Sequence, residues 1–263
     1  VVSASTVLQS VCSGSVSPIL LSSNVSGTVF NWNVVQNNVT GASNGTGTSI
    51  AQVLTATSNN IGEAVYSVTP IVGGCPGTSM LVTVRVNPIP VATANAAVTT
   101  ICSSSITNIT LASSLPGTTF SWTVIQTGIF GATPGSGATI AQTLTTVSGV
   151  QGTVIYTITP TFNGCSGAPI SVTITVNPTP EVFGSAAAMI CSGETPNISL
   201  FPSIAATTFA WTVNAINVTG AQAGTGVIIN DILTATPNLG TVIYTVTPTA
   251  NGCSGTPLNI TVT

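Results

Sequence analysis

Lysine and histidine are absent from this 263-residue sequence. Arg85 is the sole base, Glu63, Glu181, Glu194 and Asp231 are the only acids, and charged residues make up 2% of the chain. An ordinary soluble domain is about 25% charged. The missing residue types exclude most chemistry. General acid–base catalysis, a Ser or Cys nucleophile activated by His or Lys, and His-based metal sites all need groups that are not there. A nucleic-acid partner is excluded because phosphate binding runs on clustered Lys and Arg. Calcium needs several oxygens from neighbouring carboxylates, and these acids are scattered; Glu181 beside Pro180 reads as a lone solvated carboxylate. Composition therefore predicts a protein that is not an enzyme and holds no metal or cofactor. No apolar run approaches the roughly 20 residues of a spanning helix, so membrane insertion is not expected. The sequence opens Val1-Val2-Ser3-Ala4 without Met and without a basic, then apolar, signal segment, which reads as a mature or cropped form.

In place of charge the chain carries 46 Thr, 29 Ser and 20 Asn. It is also repetitive. Trp32, Trp122 and Trp211 recur at a spacing of about 90 residues, as do Tyr66, Tyr156 and Tyr244, and so do the cysteine sets Cys12, Cys102, Cys191 and Cys75, Cys165, Cys253. Asn87-Pro88-Ile89-Pro90 and Asn177-Pro178-Thr179-Pro180 mark the boundaries, since a Pro-x-Pro run cannot continue a central strand and favours polyproline geometry. Three units follow, 1–90, 91–180 and 181–263, with the look of an in-phase excerpt from a longer array.

Within each unit apolar residues alternate with polar ones. Phe30, Trp32 and Val34 face one way and Asn31 and Asn33 the other; Phe120, Trp122, Val124 and Phe209, Trp211, Val213 repeat the pattern. The closing strand alternates likewise, with Met80, Val82, Val84 and Val86 inward and Thr83 and Arg85 outward. About seven short strands per unit, separated by Gly-rich turns and with no helical period, predict an all-β chain of three tandem immunoglobulin-like antiparallel β-sandwiches in a linear array.

An even number of cysteines at a repeated spacing suits a disulfide framework in an oxidising, extracellular setting. Repeat logic leaves two sets of pairings. Within-unit bonds join Cys12 to Cys75, Cys102 to Cys165 and Cys191 to Cys253; bonds across linkers join Cys75 to Cys102 and Cys165 to Cys191. The within-unit set is the expectation, because a domain of this size buries limited surface and gains from a staple of its own.

The order Cys, Trp, Cys is similar to that of immunoglobulin domains, but Cys75 lies nine residues after Tyr66 where those domains place the second Cys two after the strand Tyr. The strings Ile101-Cys102-Ser103, Pro116-Gly117-Thr118-Thr119-Phe120-Ser121-Trp122-Thr123-Val124, Tyr156-Thr157-Ile158-Thr159-Pro160, Asn163-Gly164-Cys165-Ser166-Gly167 and Val172-Thr173-Ile174-Thr175-Val176-Asn177-Pro178, echoed in the other units, resemble the PKD-like repeat of very large surface adhesins of Bacteroidota, of the kind associated with gliding motility and type IX secretion. The resemblance implies a cell-surface architectural role and no reaction. The acidic Trp-Asp-Phe-Gly-Asp-Gly string of PKD domains is replaced here by Trp-Thr-Val-Ile-Gln, so nothing tied to those acids carries over.

Four aromatics break the repeat: Phe130, Phe162, Phe183 and Phe201. They are expected to pack against a neighbouring unit or a lateral partner; the competing reading is a sugar-stacking site. Seven Asn-x-Ser/Thr sequons are about what chance gives at this composition and carry no weight. Rows of uncharged Thr and Ser on flat strands invite edge pairing, so O-linked glycans or burial in a filament are expected to cover them. The predicted function is a structural segment of an extracellular fibre or adhesin stalk whose partners are further copies of the repeat, end to end and laterally. The alternative is a glycan-binding adhesin module.

Overall fold

The computed structural model describes residues 1–147, 149–185 and 189–263. Its elements are all strands. Unit 1 contains β1 (Val2–Ala4), β2 (Leu8–Cys12), β3 (Ser15–Ser23), β4 (Val29–Asn37), β5 (Val39–Thr40), β6 (Gly45–Thr46), β7 (Ser49–Ala56), β8 (Gly62–Val72), β9 (Cys75–Pro76) and β10 (Met80–Asn87). They form a four-stranded sheet, β1-β3-β7-β5, and a six-stranded one, β2-β10-β8-β4-β6 with β9 beside β8. Alternation makes each sheet apolar on one face, and burying those faces against each other gives the sandwich. Ile19, Leu21, Ile50 and Leu54 from one sheet meet Phe30, Trp32, Tyr66, Val82, Val84 and Val86 from the other in a single core cluster. Units 2 and 3 repeat this around Phe120, Trp122, Tyr156 and around Phe209, Trp211, Tyr244.

One pair departs from the antiparallel expectation. After pairing with β3 the chain crosses to the second sheet, where β2 runs parallel to β10 with Leu8 opposite Thr83 and Cys12 opposite Asn87. In unit 2, Thr100–Cys102 lies parallel to Ile170–Asn177 in the same register, Cys102 opposite Asn177. This pairing fixes the first cysteine of a unit beside the start of the linker that leaves it. The second cysteine follows the turn after the longest strand, with Cys75 opposite Val72 and Cys165 opposite Phe162, at the other end of the sandwich.

Candidate functional site

Inside each sandwich the polar groups of the large aromatics close on one another. The indole Nε1–H of Trp32 donates to the Ser43 carbonyl at 3.2 Å, Gln52 Nε2 donates to the same carbonyl at 2.9 Å, and the Tyr66 hydroxyl donates to Gln52 Oε1 at 2.8 Å. Gln142 repeats the latch in unit 2 with Trp122, Thr133 and Tyr156. Unit 3 replaces glutamine by a carboxylate: Asp231 Oδ2 accepts from the Tyr244 hydroxyl and from the Gln222 N–H, both at 2.9 Å. Burial pushes the Tyr66 phenol up to about 12. Burial, and then the adjacent Asp231 charge and its hydrogen bond, raise Tyr244 further. The indole also sets a local sequence requirement: a Cβ at Gly45, Gly135 or Gly224 would lie 2.6–2.8 Å from the tryptophan Cζ2 of its unit. Sequence reading missed this latch, although its Gln or Asp recurs 20 residues after the Trp and 13 or 14 before the Tyr in every unit.

The junctions are built differently. Linker residues Asn87, Pro88 and Pro90 are buried, as are Asn177, Pro178 and Pro180. The Asn87 carbonyl accepts from the Ser13 N–H at 2.9 Å, and the Asn177 carbonyl accepts from Ser103 N–H at 2.7 Å, which locks each linker onto the residue after a cysteine. The side chains reach forward: Asn177 Nδ2 donates to the Asn251 carbonyl at 3.0 Å, and Asn163 Nδ2 donates to Asn87 Oδ1 at 3.4 Å. The linker carbonyls run so close to the next sandwich that a Cβ at Gly167 would lie 2.0 Å from Pro90 O, and one at Gly255 1.7 Å from Pro180 O. Asn59 Nδ2 donates to the Ser114 carbonyl across the first junction.

Each junction carries a disulfide, and this corrects the expected pairing. Cys12 bonds Cys165 and Cys102 bonds Cys253, with Cα separations of 5.5 and 5.6 Å. Cys75 and Cys191 are free and exposed. Neither the within-unit set nor the Cys75–Cys102, Cys165–Cys191 set is formed. The reason is the length of a strand. Cys12 is level with Asn87, and Cys75 with Val72, at opposite ends of the eleven-residue β8. At about 3.3 Å per residue that places them roughly 35 Å apart, whereas a disulfide needs Cα atoms within about 7 Å. The far-end cysteine of one sandwich therefore meets the near-end cysteine of the next. The nine residues from Tyr66 to Cys75 carry the chain past the core before the cysteine is reached.

Of the contacts expected for the four odd aromatics, packing against a neighbouring unit is not formed by Phe130, Phe183 or Phe201. Phe130, Phe183 and Phe201 are 55%, 54% and 55% exposed rather than buried between units. Phe183 stands opposite Phe201 in an antiparallel pair, so the two rings share one outer face of unit 3. Phe162 is half-buried, 3.9 Å from where a Cβ on Gly117 of its own unit would stand. The single charged pair, Arg85 Nε to Glu63 Oε1 at 2.9 Å, is an exposed cross-strand contact. Among the described residues no group of three or more His, Cys, Asp or Glu could hold a metal, and no helix is long and apolar enough to cross a membrane.

No curated protein matches the chain in sequence. Among solved structures, the chain is similar to the Escherichia coli adhesin FdeC, at 15% identity and TM-score 0.39, covering 100% of this chain and 96% of that one. It is similar to mouse cadherin-23 repeats EC22–24, at 10% identity and TM-score 0.33, covering 100% and 98%. It is similar also to invasin, described as a bacterial integrin-binding protein, at 16% identity and TM-score 0.30, covering 100% and 60%. At these TM-scores nothing is taken from the likeness. The family is set by sequence: the PKD-like domain matches three times, over residues 9–90, 99–180 and 188–263, in phase with the tryptophans, the tyrosines and both cysteine sets. The chain is a tandem array belonging to the PKD-like domain family.

Proposed function

We propose that this chain is a load-bearing structural segment of an extracellular fibre or adhesin stalk, without enzymatic activity. The observation that carries the reading is the staggered bonding. Cys12–Cys165 bridges every peptide bond between those residues, and Cys102–Cys253 bridges every one between its own, with sequence separations of 153 and 151. The two spans overlap, so from Cys12 to Cys253 no single backbone break divides the chain. A catalytic or transient signalling module has no need of that redundancy; a tether under tension or outside the cell among proteases does. The bonds also sit where neighbouring sandwiches meet, the places that bending would open first. Formation of such bonds requires an oxidising compartment, which supports a location outside the cytoplasm.

The finer assignment, to the large surface adhesins of Bacteroidota associated with gliding motility and type IX secretion, rests on the motif strings above. Immunogold labelling of the source cells tests it: label distributed over surface filaments is the expected outcome. The stalk reading itself is tested by small-angle scattering. Three sandwiches of about 35 Å joined end to end by stiff linkers give a rod of roughly 120–140 Å and a radius of gyration of about 35–40 Å, against about 18 Å for a compact chain of this length. The smaller value rejects the stalk.

A glycan-binding role has one observation in its favour, the exposed Phe183–Phe201 pair on one outer face of unit 3. Sugar binding that is abolished by Phe183→Ala would establish it. We further propose that the outer Thr and Ser rows are covered by O-linked glycans or by lateral contacts between copies. Native material at the bare 26.1 kDa that stays monomeric at high concentration would refute both.

A further inference from the structure

The side chains that break the repeat gather at one place, the junction of units 2 and 3. Phe183 and Phe201, an exposed cross-strand pair, stand where unit 2 has Thr93 opposite Ala112. Glu181, exposed and two residues before Phe183, stands where unit 2 has Val91. The backbone beneath these changes is the same in both units. Ser203 N–H donates to the Glu181 carbonyl at 3.0 Å and Ser203 Oγ accepts from the Glu181 N–H at 2.7 Å; Ser114 makes the same two bonds with Val91 at 3.1 and 3.3 Å. The frame is kept while the side chains differ, so the change lies in what the surface presents and not in the fold.

Glu181 and Ser203 also line a hollow of about 410 Å³ between the two units, bounded on its other sides by Ser103, Thr145 and Thr146 of unit 2 and by Thr179 of the linker. Small-molecule sites span about 300–1,000 Å³. The polar side chains of this hollow are hydroxyls and the one carboxylate. Nothing among the described residues donates to that carboxylate. Thr145 stands opposite Phe130 in an antiparallel pair, so a third exposed ring sits one strand from the hollow, where units 1 and 3 have Thr40 and Thr219. The equivalent hollow at the first junction, lined by Ser13, Ala56, Asn59 and Ile89 among others, holds no acid.

We propose that the second junction is a binding site for an uncharged glycan, with Phe183 and Phe201 as the stacking platform and the hollow as the hydrogen-bonding pocket. The proposal deepens the glycan-binding reading, on which it rests, and is independent of the stalk role. A pyranose ring has an apolar face of C–H groups and a rim of hydroxyls. The face is matched by exposed aromatic rings. The rim is matched by a carboxylate, which accepts more strongly than a neutral oxygen, and by Ser and Thr hydroxyls, which donate or accept as required. Glu181 and Phe183 are about 7 Å apart along the chain in extended geometry, so one saccharide chain touches both. Charge sets the class of sugar. The carboxylate is the only ionised group of the hollow, and the one base of the chain, Arg85, is paired with Glu63 in unit 1. An acidic sugar would meet repulsion there with no cation to offset it.

The test applies the full chain to an array of immobilised oligosaccharides, some neutral and some containing uronic acids, and compares it with Phe183→Ala, Phe201→Ala and Glu181→Gln. Neutral glycans should be retained and uronates not. Each Phe variant should weaken retention about tenfold, and Glu181→Gln should weaken it and narrow the discrimination against uronates. The substituted side chains are exposed, so unaltered tryptophan emission shows that each variant is folded. Neutral glycan bound equally by all three variants overturns this site and leaves the glycan-binding reading standing elsewhere on the chain. Retention of uronates in preference overturns the neutral class and the proposal with it. No retention of any oligosaccharide overturns both the site and the glycan-binding reading.

Discussion

The interior of each sandwich and the junction between sandwiches solve the problem of rigidity by opposite means. The interior is apolar, wrapped around a buried Trp and Tyr whose polar atoms are latched to one Gln or Asp, and it contains no disulfide. The junction is polar and small, made of two prolines, a buried asparagine, a glycine contact and a disulfide. Burial of a dozen large apolar residues is sufficient to order a sandwich, because each contributes about 1.5–3 kcal/mol. A three-residue linker has no such reserve, and a covalent bond that closes a loop of about 150 residues contributes roughly 5 kcal/mol in the chain-entropy treatment. The cross-links are placed where burial is least.

The largest expected effect is all-or-none. With Cys75 and Cys191 capped by alkylation and the oxidised chain unfolded in urea, trypsin cuts only after Arg85. Because Cys12 and Cys165 lie on opposite sides of that cut, the product should remain one covalent species until reduced, and then give 1–85 and 86–263. Release of 1–85 before reduction would place the bonds within units. Pulled from its ends, the same oxidised chain should extend to about 300 Å, against about 900 Å when reduced, because Cys12–Cys165 and Cys102–Cys253 take most of the backbone out of the direct path.

Next in size is damage to an interior. Trp122→Ala should cost about 3–5 kcal/mol in denaturant unfolding, and the Cys12–Cys165 bond should still form. At the junction, Gly167→Ala forces a Cβ against Pro90 O and should cost about 1–3 kcal/mol, read as a changed scattering profile with the tryptophan emission of the interiors unaltered. If Gly167→Ala instead shifted the emission, the two regions would not be separable.

The interiors also carry the pH dependence. The phenols of Tyr66, Tyr156 and Tyr244 are all raised by burial, and a group whose folded pKa lies above its unfolded value of about 10 stabilises fully below pH 10 and progressively less above it. Circular dichroism should show stability flat up to about pH 10 from these groups and falling as the pH rises toward 12. Unfolding that set in well below pH 10 would contradict this. The smallest effect is expected at Arg85→Ala, which removes the exposed pair with Glu63 and should change stability by no more than about 1 kcal/mol.

The alternation of Phe30, Trp32 and Val34 against Asn31 and Asn33 was enough to set strand faces, because a period of two leaves one buried side. The recurrence of Trp, Tyr and Cys set the number of units. What the sequence did not convey is which cysteine meets which. Six equivalent-looking thiols differ only in where the parallel pairing of β2 with β10 and the hairpin from β8 to β9 carry them, and those are long-range contacts with no local signature. Whether Phe130, Phe183 and Phe201 meet a neighbouring unit or stand on an outer face was hidden for the same reason, because it depends on which face of the sheet each strand turns outward. Local periodicity determined the sandwiches; the separation of two cysteines by the length of one strand, a fact of tertiary structure alone, decided that the covalent bonds join neighbours.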